Sequence, residues 1–564
     1  MLPIVLLIAS GLVLVAAAVS TPGSAAACDA FTLTNVTNVA IASVTHFDTN
    51  ATVDFTNLFS SINTSVLPAF CRVELVVTTN ATAGSFAITE VWLPDEWNGR
   101  MLSFGNGGVA GGGKRAAPLL PLHAKFVPSV NVADIGNIAV RQGFAGMSTN
   151  TGHNSTDSDA TWGLHNDNAL FDWGFRAMHL SVIAGKAVIE QYYQAPANKS
   201  YYLGCSTGGQ KAVALKEVQE FPDDFDGVVL GSPANWQTHL SGWGPHMNLN
   251  VQPSTSPRFM TLDQWINVIA PEVLRQCDSL DGLADGIIND PRACRFRPET
   301  LTCRLGQNTS TCLTGPQIFA LHRVYSDYVE TDQTYIFGPY FPGGELEYAV
   351  SGYMSSKPDS ISLSAIQNFV VNTTDFTIED YNFDILKLII EVNAGQAAAI
   401  KTNLTDFAGP THSGKIIQYV GWADQLISPG ASLHYYETVH TFMTEHSMLD
   451  IDDFYRLFPV AGMTHCALID FAWGQGGVGA NSFGQALNGN VPVADDAQHN
   501  IVSAIVRWVE EGVAPENFTA AKFNDDSSAK GVNFTRPVCM YPSSLVFRGG
   551  DPADMGSFEC TTLV

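Results

Sequence analysis

Apolar positions in the first 230 residues come in short runs separated by turn residues. Arg72–Val77 and the alternating run Phe86–Leu93 flank a turn at Thr79–Gly84 and predict a β-hairpin over 71–94. Met101–Phe104 predicts a third strand, which runs into the glycine-rich stretch Gly105–Gly113. Gln142–Ser148 predicts another strand, followed by a polar loop at Thr149–Asp159. Leu170–Gln194 carries Phe175, Met178, Val182, Ile183 and Val188 at helical spacing. Lys199–Leu203 is strand-like, and the residues from Gly209 to Glu220 place Val213, Leu215 and Val218 on a helical stripe. Gly227–Gly231 is a further strand. Strands alternating with helices of this length predict a mostly parallel α/β sheet.

From about 246 to 400 this rhythm lapses and four cysteines cluster between 277 and 312. A segment of that length is an insertion rather than a loop, and long insertions commonly serve as lids or substrate-binding modules. The rhythm returns at Lys415–Val420, a strand ending at Gly421-Trp-Ala-Asp424, and at Phe454–Phe458, which ends near Gly462-Met-Thr-His-Cys466. An amphipathic helix is predicted over Ala497–Glu511. The expected organisation is a core of 28–245 and 401–564 with a lid at 246–400.

Composition adds compartment and excludes some partners. Residues 1–27 carry no charged side chain, and Leu2–Val19 is apolar, which reads as a secretory signal peptide. Eleven N-x-S/T sequons, at Asn35, Asn50, Asn63, Asn80, Asn154, Asn198, Asn308, Asn372, Asn403, Asn517 and Asn533, suit a glycosylated extracellular protein. All ten cysteines follow residue 27, an even number suited to an oxidising compartment. Near neighbours suggest Cys277–Cys294, Cys303–Cys312 and Cys539–Cys560, leaving Cys28, Cys71, Cys205 and Cys466. A net charge of −26 repels nucleic acid and anionic membranes, so neither is an expected partner.

Candidate chemistry centres on Gly204-Cys205-Ser206-Thr207-Gly208. This is G-x-S-x-G between a strand and a helix, the context in which a serine is held exposed on a tight turn. A serine hydroxyl needs a base near neutral pKa, and that base needs an orienting partner. In α/β-hydrolases the chain order is Ser, then Asp or Glu, then His, each past the end of a strand. Asp424 and His465 meet that order; His153, Asp452 and Asp453 do not. The glycine-rich stretch lacks phosphate-loop spacing and reads as the oxyanion loop, around Gly107 and Gly108, with the N–H of Thr207 as partner. Cys205 precedes the serine and Cys466 follows the histidine, so a disulfide between them would tie the two catalytic loops together. Each could instead pair with Cys28 or Cys71. A second constellation places Asp278, Asp281, Asp285 and Asp290 within thirteen residues, a set of hard oxygen donors suited to Ca²⁺ and not spaced as an EF-hand.

Together, Gly204-Cys-Ser-Thr-Gly-Gly209, Asp424 and His465-Cys466 resemble the fungal tannase/feruloyl esterase family. The resemblance extends over Gly105-Asn-Gly-Gly108, Asp224-Phe-Asp-Gly227, His434-Tyr-Tyr436 and the Asp-rich loop. Val460-Ala-Gly-Met463 departs slightly from the family's usual Pro-Gly-Met. The resemblance implies an α/β-hydrolase core with a large lid, a disulfide joining the neighbours of Ser and His, and pairing of Cys28 with Cys71. It implies a structural calcium held by Asp278, Asp281 and Asp285 with the carbonyls of Leu283 and Ile287, which leaves Asp290 outside the ligand set. It also implies hydrolysis of aromatic esters, either feruloyl esters of plant cell-wall polymers or galloyl esters of tannins. A non-catalytic binding protein on the same fold is the reading from another class. A peptidase of similar fold has no sequence feature in its favour.

Overall fold

The computed structural model describes residues 22–58, 60–111, 130–210, 215–357, 359–467, 469–470, 474–475, 478–484 and 492–562. Residues 1–21, most of the expected signal peptide, lie outside the described residues, as do Gly112 and Gly113 of the glycine-rich stretch.

A nine-stranded mixed sheet forms the centre. Its strands are β1 (Val39–Phe47), β2 (Phe70–Asn80), β3 (Ser85–Pro94), β4 (Arg100–Phe104), β5 (Ala145–Thr149), β6 (Lys199–Cys205), β7 (Gly227–Gly231), β8 (Lys415–Gly421) and β9 (Tyr455–Val460). The spatial order is β1-β2-β3-β5-β4-β6-β7-β8-β9. β1 to β3 are antiparallel to their neighbours, while β5, β4 and β6 to β9 run parallel. Parallel strands covered on both faces need apolar side chains on both. β7 and β8 meet this with Val228, Val229, Leu230, Ile416, Ile417 and Val420, all buried.

Helices cover the two faces. On one, α1 (Ala177–Tyr193) and α3 (Pro429–His446) pack through Met178, Val182, Val188, Tyr435, Val439 and Met443. On the other, α4 (Ile501–Glu511) packs Ile501, Ile505 and Trp508 against Val229, Ile417 and Phe458. The helix expected from Ala497 starts at Ile501, because the Asn500 side chain accepts the Val502 N–H and caps it there. The helix expected over 170–194 is a composite, with an α turn at Asp167–Phe171, a π turn at Asp172–Arg176 and then α1. Within the π turn, buried Asp172 accepts from Thr79 Oγ1 (2.8 Å) and pairs with Arg176 (2.7 Å).

The insertion is helical rather than patternless. α2 (Gln237–Val251) begins it, so residue 246 falls inside a helix. Short helices at Ala270–Cys277, Gly315–Val324, Glu345–Val350, Ser360–Ala365 and Phe383–Val392 follow. They share a separate apolar cluster built on Trp243, Trp265, Tyr340, Tyr348 and Leu386. Two C-terminal hairpins, 517–539 and 543–562, complete the chain. The disulfides are Cys28–Cys71, Cys205–Cys466, Cys277–Cys294, Cys303–Cys312 and Cys539–Cys560.

Candidate active site

The turn after β6 holds Ser206 at φ +60°, a conformation a serine adopts only when its surroundings impose it. Its N–H donates to Gly231 O at the end of β7 (2.9 Å), and its carbonyl accepts from Ala234 N–H (3.1 Å). Tyr202 Oη donates to Gly208 O (2.6 Å), which fixes the first turn of the elbow helix, described at Thr207–Gln210 and Leu215–Glu220. At Gly204 any Cβ would lie 2.5 Å from Gly208 O, so only glycine lets strand and helix pass this closely.

Asp424 and His465 follow β8 and β9. Both are buried, and His465 Nδ1 meets the Asp424 carboxylate at 2.8 Å and 3.0 Å. Asp424 Oδ1 also accepts from Leu426 N–H (2.9 Å) and Ile427 N–H (2.8 Å), and Gln425 Oε1 accepts from His465 N–H (3.0 Å). The carboxylate therefore holds the proton on Nδ1 and leaves Nε2 as the acceptor. Cys205–Cys466 joins the neighbours of Ser206 and His465 with 5.9 Å between Cα atoms. Ser206 and His465 line one cavity of about 840 Å³, together with Gly107, Gly108 and Thr207. Gly108 sits at φ +57°, and its carbonyl accepts from Thr207 Oγ1 at 2.7 Å, which docks the glycine-rich loop on the elbow.

Several supporting residues escaped the sequence reading. Asn131 Nδ2 donates to Gly105 O (3.1 Å) and to Asp134 Oδ2 (2.7 Å). Asp134 lines the cavity; desolvation pushes its carboxyl up to about 7, opposed only by the Asn131 hydrogen bond. Lid residue Tyr340 donates through its hydroxyl to Gln425 O (2.5 Å), and Ser428 Oγ to Pro339 O (2.6 Å), so the lid braces the loop carrying Asp424. Only the Asn131-x-x-Asp134 helix-cap spacing was locally visible. His153 stacks on Trp162 and its Nε2 meets Val109 O at 3.0 Å, so it props the far end of the glycine-rich loop. Asp452 meets Tyr436 Oη at 3.2 Å and does not line the cavity.

The Asp-rich loop forms a separate feature. Gly286 N–H donates to both oxygens of Asp278 (3.1 Å each), Leu283 N–H to Asp281 (2.9 Å) and Ile287 N–H to Asp285 (3.1 Å). Burial pushes the Asp281 carboxyl up to about 6, with Asp285 and Asp278 adding to the rise, while Asp285 also pairs with Arg536 at 2.8 Å. An all-oxygen set of mutually repelling carboxylates fits a hard cation. Asp290 is engaged elsewhere, by Arg292 (2.6 Å) and Ser544. Among the described residues, the three side chains whose ligand atoms all lie within 4.8 Å of one another are His179, Glu217 and Asp224. The loop carboxylates are more spread.

Residues 71–561 match the family model described as tannase and feruloyl esterase. The chain belongs to that family. Over 547 residues it is 34% identical to a probable feruloyl esterase B-1 of Aspergillus oryzae, covering 95% of this chain and 93% of the relative. The crystal structure of feruloyl esterase B from Aspergillus oryzae superposes with a TM-score of 0.83 at 33% identity, covering 95% of this chain and all of that one. Tannin acyl hydrolase from Aspergillus niger shares the fold, with a TM-score of 0.70 at 20% identity, covering 96% of each chain. The protein is thus a carboxylic ester hydrolase with an α/β-hydrolase core. No helix among the described residues is long and apolar enough to cross a membrane.

Proposed function

We propose that this enzyme hydrolyses esters of hydroxycinnamic acids such as ferulate, carried on plant cell-wall polysaccharides, through a Ser206–His465–Asp424 acyl-enzyme. The observation that carries the mechanism is the strained Ser206 opening, with His465, onto a cavity large enough for an aromatic acyl group. His465, oriented by Asp424, takes the Ser206 proton as Oγ attacks the ester carbonyl. The developing oxyanion is met by the N–H of Thr207 and one from Gly107–Gly108. The same imidazole then gives its proton to the leaving alcohol, and water repeats the cycle on the acyl-enzyme. The relatives named as feruloyl esterases support ferulate over gallate; the tannin acyl hydrolase supports the fold alone.

Cleavage of residues 1–27, secretion and N-glycosylation belong to the same reading. Nine of the sequon asparagines are exposed and the other two, Asn80 and Asn517, are half-buried, as glycan attachment requires. A structural calcium at Asp278, Asp281, Asp285 and the carbonyls of Leu283 and Ile287 would neutralise the loop and hold it against the C-terminal hairpins.

Parallel assays on methyl ferulate and methyl gallate test the substrate. Faster turnover of ferulate is expected; preference for gallate would make the protein a tannase, and hydrolysis of neither would overturn the reading. Ser206→Ala should lower kcat by roughly 10⁵–10⁶-fold with the fold retained.

A further inference from the structure

Away from the catalytic cavity, three side chains from separate elements meet beside the elbow helix. His179 comes from α1, Glu217 from the Leu215–Glu220 segment and Asp224 from the turn Pro222–Asp224. One ligand atom of each lies within 4.8 Å of the other two. His179 Nδ1 is 2.7 Å from Asp224 Oδ2 and 3.8 Å from Glu217 Oε2. Glu217 is fully buried, and no donor reaches either of its carboxylate oxygens. The lysines nearby are engaged elsewhere: Lys216 pairs with Glu220 at 3.1 Å, and Lys186 Nζ donates to Asp223 O at 3.1 Å. A buried carboxylate with no donor and a second carboxylate beside it calls for a cation or a proton.

We propose that His179, Glu217 and Asp224 form a binding site for a divalent transition metal, of which Zn²⁺ is the representative ion. One imidazole nitrogen and two carboxylates suit zinc or manganese, whereas calcium takes oxygen alone. The His179 ring is held face to face with Phe221, centroids 3.7 Å apart and planes 13° from parallel, so its Nδ1 is already aimed inward. The ring is partly exposed, which supplies an entry route. Metal at Nδ1 replaces the His179–Asp224 hydrogen bond and displaces any proton held by Glu217. The ion would staple α1 to the C-terminal end of the elbow helix and to the turn leading into β7, whose Gly231 carbonyl receives the Ser206 N–H. Its role is to position the elbow rather than to touch substrate.

The test titrates Zn²⁺ calorimetrically into the chelator-stripped full chain, with excess Ca²⁺ present to occupy the Asp-rich loop. One equivalent should bind. His179→Ala, and His179→Asn as a variant that keeps a polar partner for Asp224, should weaken binding by about 100-fold or more, since loss of even an outer-shell partner costs 10–100-fold. Co²⁺ in place of Zn²⁺ should give visible d–d absorption in the wild type. If both variants fail to fold, that spectrum decides, and its absence overturns the proposal. Zn²⁺ affinity unchanged in either folded variant, or no stoichiometric binding by the wild type, also overturns it and leaves Glu217 sharing a proton with Asp224.

Discussion

Removing the Cys205–Cys466 bridge tests how far catalysis depends on a covalent tie between two loops. The perturbation is the double variant Cys205→Ala/Cys466→Ala, which leaves no unpaired thiol. The bridge spans 261 residues of sequence. A loop of that length confines the unfolded chain enough to contribute about 5–6 kcal/mol in the chain-entropy account, and native bridges deliver about 2–5 kcal/mol when measured. The two disulfides nested inside it shorten the free loop only slightly, and the dependence on length is logarithmic. Catalysis adds a second magnitude. Ser206 and His465 each flank the bridge, and Cys466 itself sits at φ +58°, so its loss frees both loops to shift. A misplacement of about 1 Å costs on the order of 100-fold in rate. Guanidinium unfolding followed by tryptophan fluorescence, with kcat on methyl ferulate, should therefore show a stability loss of about 2–5 kcal/mol and a kcat loss of about 10–100-fold. The control is Cys303→Ala/Cys312→Ala, whose bridge spans 9 residues in the insertion. It should lower stability by up to about 2–3 kcal/mol and leave kcat unchanged. If the first double variant keeps kcat within about threefold, the bridge does not position the Ser–His pair, and the argument fails.

Three further outcomes are expected. Asp424→Asn keeps an oxygen for the Leu426 and Ile427 N–H groups but turns an NH₂ toward His465 Nδ1, so kcat should fall by about 10⁴-fold with little change in melting temperature; a loss under tenfold would remove Asp424 from its assigned role. Asp134 has a folded pKa raised to about 7, above its ordinary value near 3.8, so its contribution to stability is greatest below pH 4 and is lost as pH rises to 7. Asp134→Asn should then flatten the decline between pH 4 and 7 and be more stable than wild type at pH 8 by about 1–3 kcal/mol in denaturant titrations; identical pH profiles would contradict this. In chelator-stripped protein, calcium at 100-fold over its Kd should raise stability by about 2.7 kcal/mol, and Asp281→Asn should abolish that calcium response; a stability indifferent to added calcium would remove the proposed ion.

Much of this site could be read locally. The strand β6, the tight turn at Ser206 and the helical turn Thr207–Gln210 are consecutive in the chain, and their glycines are dictated by short-range sterics; Val213 of the expected helix lies outside the described residues. The ends of β8 and β9 were legible for the same reason, which placed Asp424 and His465 past strand ends in the order an α/β-hydrolase requires. The insertion was harder, because its helices are short and packed on several sides, so no single periodic face survives. The helix before β6 reads as one helix and does run on through right-handed helical backbone, but the π turn at Asp172–Arg176, where buried Asp172 meets Thr79 and Arg176, is not announced by the apolar spacing.

Chain-local chemistry was enough to point to the α/β class and to single out Ser206, Asp424 and His465 as candidates, since each rests on a pattern completed within a few residues. Tertiary structure alone decided which groups support them. The order β6-β7-β8-β9 brings the ends of parallel strands to one edge, and that edge is where Ser206 and His465 share a cavity, with Asp424 buried against His465 Nδ1. Asn131 beneath Gly105, Tyr340 reaching from the lid to Gln425, and His179 meeting Glu217 and Asp224 are contacts between elements distant in sequence. A polar residue's burial and partner are set by what folds against it, and no neighbour in the chain announces either.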